Sequence, residues 1–380
     1  MVKELIEKKE KRVEYVELIY DLIFVFIIGR NNSLLHDIEG GFVKPGAFSA
    51  YLICTLAVIQ IWTLTTYYIN MYGRKSVRDH VFMFINMFLM YFLAEGTRGD
   101  WASHHTSYHI AWALILLNSA AQYIIELRNH RGEPSHKRRA ITMAGILIAE
   151  ALAALAAIPE YNIFSTSYLS WLAVTFSMLA ILLSGIGKNT DIVDFEHLTE
   201  RVMLYVVFTF GEMIIAISTY FDDGFDIRNL YFAVMAFLIV VGLFVSYGVV
   251  YDRIVDRSRS TGGLGYMLIH IFLIFALSGI TAGLEFMRED EIALEPKMIF
   301  LISSFILYYI FLFLTGIYAK KRCGLNARFY LIMAGLCAAF AGLMVLFMDN
   351  PDINIAVSVA FVFSVFGVLR LTAAKMEKAG

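Results

Sequence analysis

The stretch Glu17-Leu-Ile-Tyr-Asp-Leu-Ile-Phe-Val-Phe-Ile-Ile28 opens the first long apolar segment of the chain and carries two carboxylates into it. Glu17 and Asp21 lie four residues apart, so on a helix they share one face, with Tyr20 beside them. A charged side chain inside a membrane-spanning helix costs about 2.5–3.5 kcal/mol on insertion scales, so it normally faces protein or water. The stretch therefore predicts a membrane helix whose polar face is sheltered by a surrounding bundle.

The composition is that of a polytopic membrane protein. Of the 380 residues, 59% are hydrophobic and only 17% are charged, whereas soluble domains carry about 25% charged residues. No tract of basic and aromatic residues indicates nucleic-acid binding, and Cys54, Cys323 and Cys337 lack the spacing of a metal site or a disulfide framework. We therefore expect no cofactor, no metal and no nucleic-acid partner. The charged N-terminal segment is expected to be a retained signal anchor.

Twelve apolar runs have the length of about 20 residues that a membrane-spanning helix needs. They lie near 15–36, 47–70, 80–97, 106–127, 139–158, 165–187, 199–220, 229–251, 264–286, 297–318, 328–347 and 353–373. Only six of the 31 lysines and arginines fall on one side of the membrane in this division, and the others fall on the opposite side. The positive-inside rule then predicts that both termini are cytoplasmic.

An internal repeat aligns polar residues of the two halves of the chain. The pairs matched by a shift of 190 residues are His80 with His270, Glu95 with Glu285, and Arg98 with Arg288, and a shift of 191 matches Asp21 with Glu212. Since six helices per half is an even number, the halves would be parallel, related by an axis along the membrane normal. The sequence therefore predicts an all-α fold of two parallel six-helix repeats, 1–187 and 188–380, within one membrane domain.

Asp21 and Glu212 are the leading candidates for a polar path through this bundle. Glu212 follows Gly211 near the middle of the seventh run and is expected to be the most deeply placed acid, with the glycine allowing another helix to approach closely. Burial favours the neutral form of a carboxyl, which suits a proton carrier. The alternative is structural: Asp21 bonds a neighbouring helix, and a protonated Glu212 forms a hydrogen bond between helices.

Seven further residues are weaker candidates for the same path. They are Glu17, Tyr20, Glu95, Glu200, Arg201, His270 and Glu285. Glu200 and Arg201 are adjacent and cannot face each other on a helix, so each is expected to pair elsewhere or to reach water. Glu95 and Glu285 each precede an arginine by three residues, a spacing that equally fits a surface ion pair.

Other polar groups near the helix ends have simpler explanations. Tyr67 and Tyr68 fit an aromatic belt at the membrane interface. Glu126 lies beside a basic loop and is expected to be solvated. Glu150 lies on a helix rich in small residues, which favour tight packing, and is a minor site candidate.

Both carboxylate stretches resemble the bacterial low temperature requirement A (LtrA) family. Residues 17–25 look like its opening pattern E-L-[FI]-[FY]-D-L-[VI]-F-V, and residues 200–212 resemble its pattern E-R-x-G-L-F-x-x-x-x-L-G-E. Tyr251-Asp252, His270 and Glu285 are similar to the family's later Y-F-D, H and G-x-E positions. The chain departs from these patterns at Met203, at Phe210 and at the asparagines before His36. The resemblance implies an integral protein of the bacterial inner membrane, named after a growth requirement in the cold, without supplying a reaction.

The sequence favours a transporter or permease with a carboxylate-lined pathway for a small molecule or ion, with proton coupling as one option. Motifs such as GxxxxGK[ST], HExxH and GxSxG are absent, which favours a non-enzymatic role. One alternative is a non-transporting factor that supports membrane function or assembly in the cold. Another is an intramembrane lipid-modifying enzyme, which would need a pair such as His270 with Asp252 or Glu212. The bilayer is the expected partner, and a homo-oligomer is left open.

Overall fold

A computed structural model describes residues 13–97, 101–129, 134–186, 192–222, 224–321 and 325–378. Within these ranges the chain forms twelve α-helices. They are α1 Tyr15–Asn31, α2 Pro45–Tyr72, α3 Val77–Glu95, α4 Trp101–Asn129, α5 Pro134–Phe164, α6 Tyr168–Leu183, α7 Phe195–Ser218, α8 Ile227–Val249, α9 Leu264–Phe286, α10 Leu294–Leu314, α11 Ala327–Leu346 and α12 Pro351–Lys378. A two-stranded antiparallel hairpin, β1 Ile38–Glu39 and β2 Phe42–Val43, joins α1 to α2.

Short turns of tighter or wider helix extend four of these elements. They are the 3₁₀ turns Asn32–His36 after α1, Thr219–Phe221 after α7 and Thr315–Tyr318 after α10, and the π-helical turn Val250–Ile254 after α8. The first two turns end near each other and border the cavity described below. They therefore shape one end of the region where α1 and α7 meet.

Eleven of the described helices are long and apolar enough to cross a membrane. The exception is α6, whose 16 residues span about 24 Å. It is shorter than the predicted run because Ser165 takes a left-handed conformation, with φ of 53°, between α5 and α6. The Glu160 carboxylate then accepts hydrogen bonds of 2.8 Å from the amides of Tyr168 and Leu169 and fixes where α6 begins. The prediction of an all-α polytopic membrane protein is confirmed.

The centre of the bundle is formed by α2 and α9. Their most apolar stretches are 72% and 78% buried, against 22% for α11. These two helices contact each other, α2 also contacts α1, α9 also contacts α7, and α1 and α7 contact each other directly. Large apolar side chains such as Leu22, Phe88 and Leu331 are exposed on the outside, where lipid surrounds a membrane bundle. Several polar side chains, among them Asp21, Glu150 and Arg201, are fully buried inside the bundle.

Helices α1 and α7 lie side by side and run in the same direction. Glu17, near the start of α1, contacts Arg201 near the start of α7, and Gly29 near the end of α1 contacts Glu212 further along α7. Contacts of α1 with α2 and α3 parallel those of α7 with α8 and α9. This correspondence fits parallel halves, and the repeat of 1–187 and 188–380 stays a prediction.

Candidate functional site

The start of α7 is held against the end of α2 by one asparagine. Asn70 accepts a hydrogen bond of 3.1 Å from the Asp194 amide and donates one of 2.8 Å to the Asp194 carbonyl. Asp194 in turn caps α7, because its carboxylate accepts from the His197 amide at 3.1 Å. The Asn70 amide nitrogen also lies 3.1 Å from His197 Nδ1. These bonds fix the rotation of α7, and with it the direction of His197 and of Arg201 one turn later.

Four ionisable side chains form a buried group between α1 and α7, which we call the ion-pair cluster: Glu17, Asp21, His197 and Arg201. The Arg201 guanidinium is fully buried and binds both oxygens of Asp21, through Nη2 at 2.5 Å and Nε at 3.1 Å. Its Nη1 lies 3.1 Å from Glu17 Oε2, and His197 Nε2 lies 3.6 Å from the same oxygen. Two carboxylates thus face one permanent cation. The cluster therefore holds one more carboxylate than permanent cations.

Aromatic and amide side chains surround the cluster and hold its geometry. Trp62 of α2 donates a hydrogen bond of 2.7 Å from Nε1 to Asp21, and its ring stacks on Tyr205 of α7 at 4.1 Å. The Tyr20 hydroxyl accepts a hydrogen bond of 3.1 Å from Asn86 of α3. Helices α1, α2, α3 and α7 are therefore tied together around one charged centre.

Glu212 and Glu285 line a cavity of about 280 Å³ at the far end of the α1–α7 contact. Its other polar lining residues are Arg30, Asn32, Ser33, His36, Ser218, Thr219, Tyr220 and Thr281. We call this the carboxylate cavity. His36 Nε2 lies 3.6 Å from Glu285 Oε1. The Glu212 carboxylate lies against Gly29, where a methyl group would overlap it, so glycine is needed there for the close approach.

Asp21 and Glu212 occupy different levels of the bundle. Asp21 contacts Arg201 and Trp62, whereas Glu212 contacts Gly29. Gly29 is eight residues beyond Asp21 on α1, which corresponds to about 12 Å along the helix axis. The two leading candidates therefore do not form one pair.

Two expectations about Glu212 are wrong. It is not the most deeply placed acid, because it is half-buried at the cavity, whereas Asp21 and Glu150 are fully buried. The glycine that permits close contact is Gly29, since a Cβ on Gly211 would meet no atom within 4 Å. Distance from the ends of the apolar run overstated the burial of Glu212 because its carboxylate lines the cavity.

His270 lies in aromatic surroundings away from both sites. Its Nδ1 lies 2.8 Å from the Tyr266 carbonyl, and its Nε2 lies 3.4 Å from the Tyr247 hydroxyl. Both ring nitrogens thus face partners that are not carboxylates. This geometry does not favour the pair with Asp252 or Glu212 that a lipid-modifying enzyme would need.

The remaining sequence candidates lie near helix ends. Glu200 is half-buried and is close enough to Tyr251 for an electrostatic interaction. Its neighbour Arg201 belongs to the ion-pair cluster. Glu95 is the last residue of α3, and its expected partner Arg98 lies outside the described residues. Glu285 lies at ion-pair distance from His36.

Arg288, the expected partner of Glu285, binds elsewhere. It donates to the Tyr220 carbonyl and to Asn229, both at 3.1 Å, and lies over the Tyr220 ring at 4.1 Å. A surface ion pair at i, i+3 is therefore not what occupies this arginine. Its contacts instead fix the 3₁₀ turn that borders the carboxylate cavity.

The simple explanations for Tyr67, Tyr68 and Glu126 are also wrong. All three side chains are buried, because α4 packs against α2 and α3 at this end of the bundle. Glu126 pairs with Arg78 at 2.8 Å. Glu150 is fully buried, where Gln60 Nε2 lies 3.5 Å from its carboxylate.

Sequence reasoning missed His197, Trp62 and Tyr205 as partners of the candidate acids. One signal was present: His197, two residues before the seventh run, and Arg201 within it have i, i+4 spacing, as Glu17 and Asp21 have on the first run. Two such pairs of opposite charge can face each other across parallel helices. Among the residues that the structure describes, no group of three or more His, Cys, Asp and Glu side chains could hold a metal ion.

The model of the family described as bacterial low temperature requirement A protein (LtrA) matches residues 12–365. No curated protein and no solved structure matches the chain. The matched range contains both the ion-pair cluster and the carboxylate cavity. The chain therefore belongs to the bacterial low temperature requirement A (LtrA) family of multi-pass membrane proteins.

Proposed function

We propose that the protein is a permease that moves a small cation, or a neutral solute together with protons, along the contact between α1 and α7. The observation that carries the proposal is the carboxylate cavity, in which Glu212 and Glu285 from two different helices face one space of about 280 Å³. Ionisable side chains inside a membrane bundle typically mark ion or substrate pathways. The lining holds two acids and one permanent cation, Arg30, so its acidic groups are in excess and suit a positively charged guest.

The ion-pair cluster would act as the closed gate at the other end of this path. Phe24, Val25 and Ile28 of α1 are buried and lie between Asp21 and Gly29 in the sequence, so in this proposal they close the path between the two levels. Opening this end would require separating Arg201 from Asp21. Protonation of a carboxylate in the cluster weakens that attraction, which supports coupling to protons.

The orientation belongs to the same proposal. We place the protein in the bacterial inner membrane with both termini in the cytoplasm, on the basis of the lysine and arginine distribution. The carboxylate cavity, beside the ends of α1, α7 and α9, would then open away from the cytoplasm. The ion-pair cluster would lie on the cytoplasmic side.

The test is ion flux into proteoliposomes containing the full-length protein. A pH jump would be applied with and without gradients of sodium, potassium and methylammonium, while internal pH and ion uptake are followed. We expect flux above that of empty liposomes in the wild type, and at least a tenfold loss in E212Q and E285Q. Both substitutions keep the shape of the side chain and remove its charge.

A matched control is E39Q, because Glu39 is an exposed acid of the hairpin that follows α1 and does not line the cavity. E39Q should keep wild-type flux, and all three variants should keep wild-type unfolding temperatures. Equal flux in the wild type and E212Q, or no flux of any tested ion in the wild type, would count against the proposed pathway.

A second candidate function is a non-transporting factor that supports membrane assembly in the cold. The observation that favours it is the complete burial of Arg201 between two acids, which ties α1 to α7 in the manner of a structural ion pair. It predicts that D21N lowers the amount of folded protein. The permease proposal predicts instead that folded D21N protein is recovered with altered flux.

A further inference from the structure

A separate polar group lies on another side of α2, where this helix meets α4 and α5. Arg139, five residues after α5 begins, is only 4% exposed. Its Nε and Nη1 atoms have no hydrogen-bond partner in the described part of the chain. A guanidinium stays charged at every physiological pH. An unpaired buried charge is costly, so this position needs an acceptor that carries negative charge.

Two tyrosine hydroxyls near Arg139 are likewise buried without a hydrogen-bond partner among the described residues. They belong to Tyr67 on α2 and Tyr123 on α4. Both phenols lie within electrostatic reach of the Arg139 guanidinium. The Tyr123 ring also packs edge-on against Tyr68 at 4.9 Å, which holds it in place. Three helices therefore bring unused donors together.

The acid on the same side of α4 is already neutralised. Glu126, three residues after Tyr123, lies 2.8 Å from Arg78 Nη2 and 3.8 Å from Arg74 Nη2. Its charge is therefore balanced by two arginines from the α2–α3 connection and α3. Among the residues that the structure describes, Nε and Nη1 of Arg139 are left without an acceptor in this group.

We propose that Arg139, Tyr67 and Tyr123 bind a phosphate group. A guanidinium donates to two oxygens of a phosphate at once, and the remaining oxygens can accept from the two hydroxyls. Arg139 lies about 7.5 Å along α5 from its first residue, and its neighbours Lys137 and Arg138 are exposed. This depth is close to the headgroup region, so the phosphate comes from a lipid headgroup or from free phosphate.

The experiment uses the purified full-length protein in an uncharged detergent and a phosphate-free buffer. Two probes are titrated at constant ionic strength: inorganic phosphate, and dioctanoyl phosphatidic acid in mixed micelles. Binding is followed by calorimetry and by the rise in unfolding temperature. We expect R139Q to bind at least about 30-fold more weakly than the wild type, since it loses a charge-assisted, two-point contact.

The matched control is R138Q, which removes the neighbouring exposed arginine and should keep wild-type affinity. The double variant Y67F/Y123F keeps both rings and should bind about tenfold more weakly; it decides the matter if R139Q does not fold. Binding of inorganic phosphate identifies free phosphate as sufficient, and binding of the lipid alone identifies a headgroup site. The proposal is overturned if neither probe binds the wild type, or if the variants bind as the wild type does.

Discussion

Removal of the Arg201 charge tests whether the ion-pair cluster is a true buried network. In R201M a side chain of similar length and flexibility replaces the guanidinium, so little packing is lost. Asp21 and Glu17 would then be left buried without their cation. Breaking a buried ion pair by removing one partner costs about 3–5 kcal/mol, and we expect a loss of this size in the free energy of unfolding.

D21N should cost less than R201M, and the reason is geometric. Arg201 would keep Glu17 at 3.1 Å, and the new amide oxygen could still accept from Trp62. In the double variant D21N/R201M only Glu17 stays charged, with His197 at 3.6 Å as its partner. The double variant should therefore be more stable than the sum of the single losses implies, with a coupling energy of about 1–3 kcal/mol.

The assay is denaturant-induced unfolding in mixed micelles, followed by the loss of helical circular dichroism. The control R228M removes an arginine that lies 3.9 Å from Asp352, with both side chains more than half exposed; it should cost less than about 1 kcal/mol. The reasoning would be refuted if R201M were as stable as R228M. Strict additivity of the single variants in D21N/R201M would refute it equally.

Four further substitutions probe the ion-pair cluster, the carboxylate cavity and the buried Glu150. W62F removes the hydrogen bond from Trp62 to Asp21 and should lower the free energy of unfolding by about 1–3 kcal/mol in the same assay, because a buried carboxylate oxygen loses its donor. G29A places a methyl group where the Glu212 carboxylate lies and should displace that carboxylate, so proteoliposome flux should fall as in E212Q. Because the flexible Glu212 side chain can move aside, the free energy of unfolding should stay within about 1 kcal/mol of the wild type. E150Q keeps the shape of the fully buried Glu150 side chain and should keep the wild-type unfolding temperature. E150K would bury an ammonium group at the same position, which is costly, and should prevent recovery of folded protein.

The fold class could be predicted because membrane helices carry their signal locally. Each span needs about 20 apolar residues, so the runs near 47–70 and 264–286 already place α2 and α9. The sixth span was too long in the prediction because its start depends on Glu160, a residue of the preceding helix that caps α6. Local hydropathy does not contain that contact.

The candidate site was predictable only in part, since its residues pair across long separations. Spacing on one helix showed that Glu17 and Asp21 share a face. In the structure, Asp21 on that face binds Arg201, which lies 180 residues later in the sequence. Which helix lies opposite is decided by the packing of all twelve helices, so no spacing rule contained it. The functional roles of these residues stay predictions until flux and stability are measured.

In the proposed transport cycle, opening the gate requires free energy to separate Arg201 from its acids. Separating Arg201 from its acids without protonation would cost about 3–5 kcal/mol, so the open gate would be populated about once in 10²–10⁴ molecules. A guest in the carboxylate cavity can shift this equilibrium only by its difference in affinity between the two states. A proton reaching Glu17 or Asp21 lowers the cost directly, because the guanidinium then loses one of its charged partners. The burial of Arg201 therefore favours the proton-coupled form of the proposed permease, and flux without any dependence on pH would count against that form.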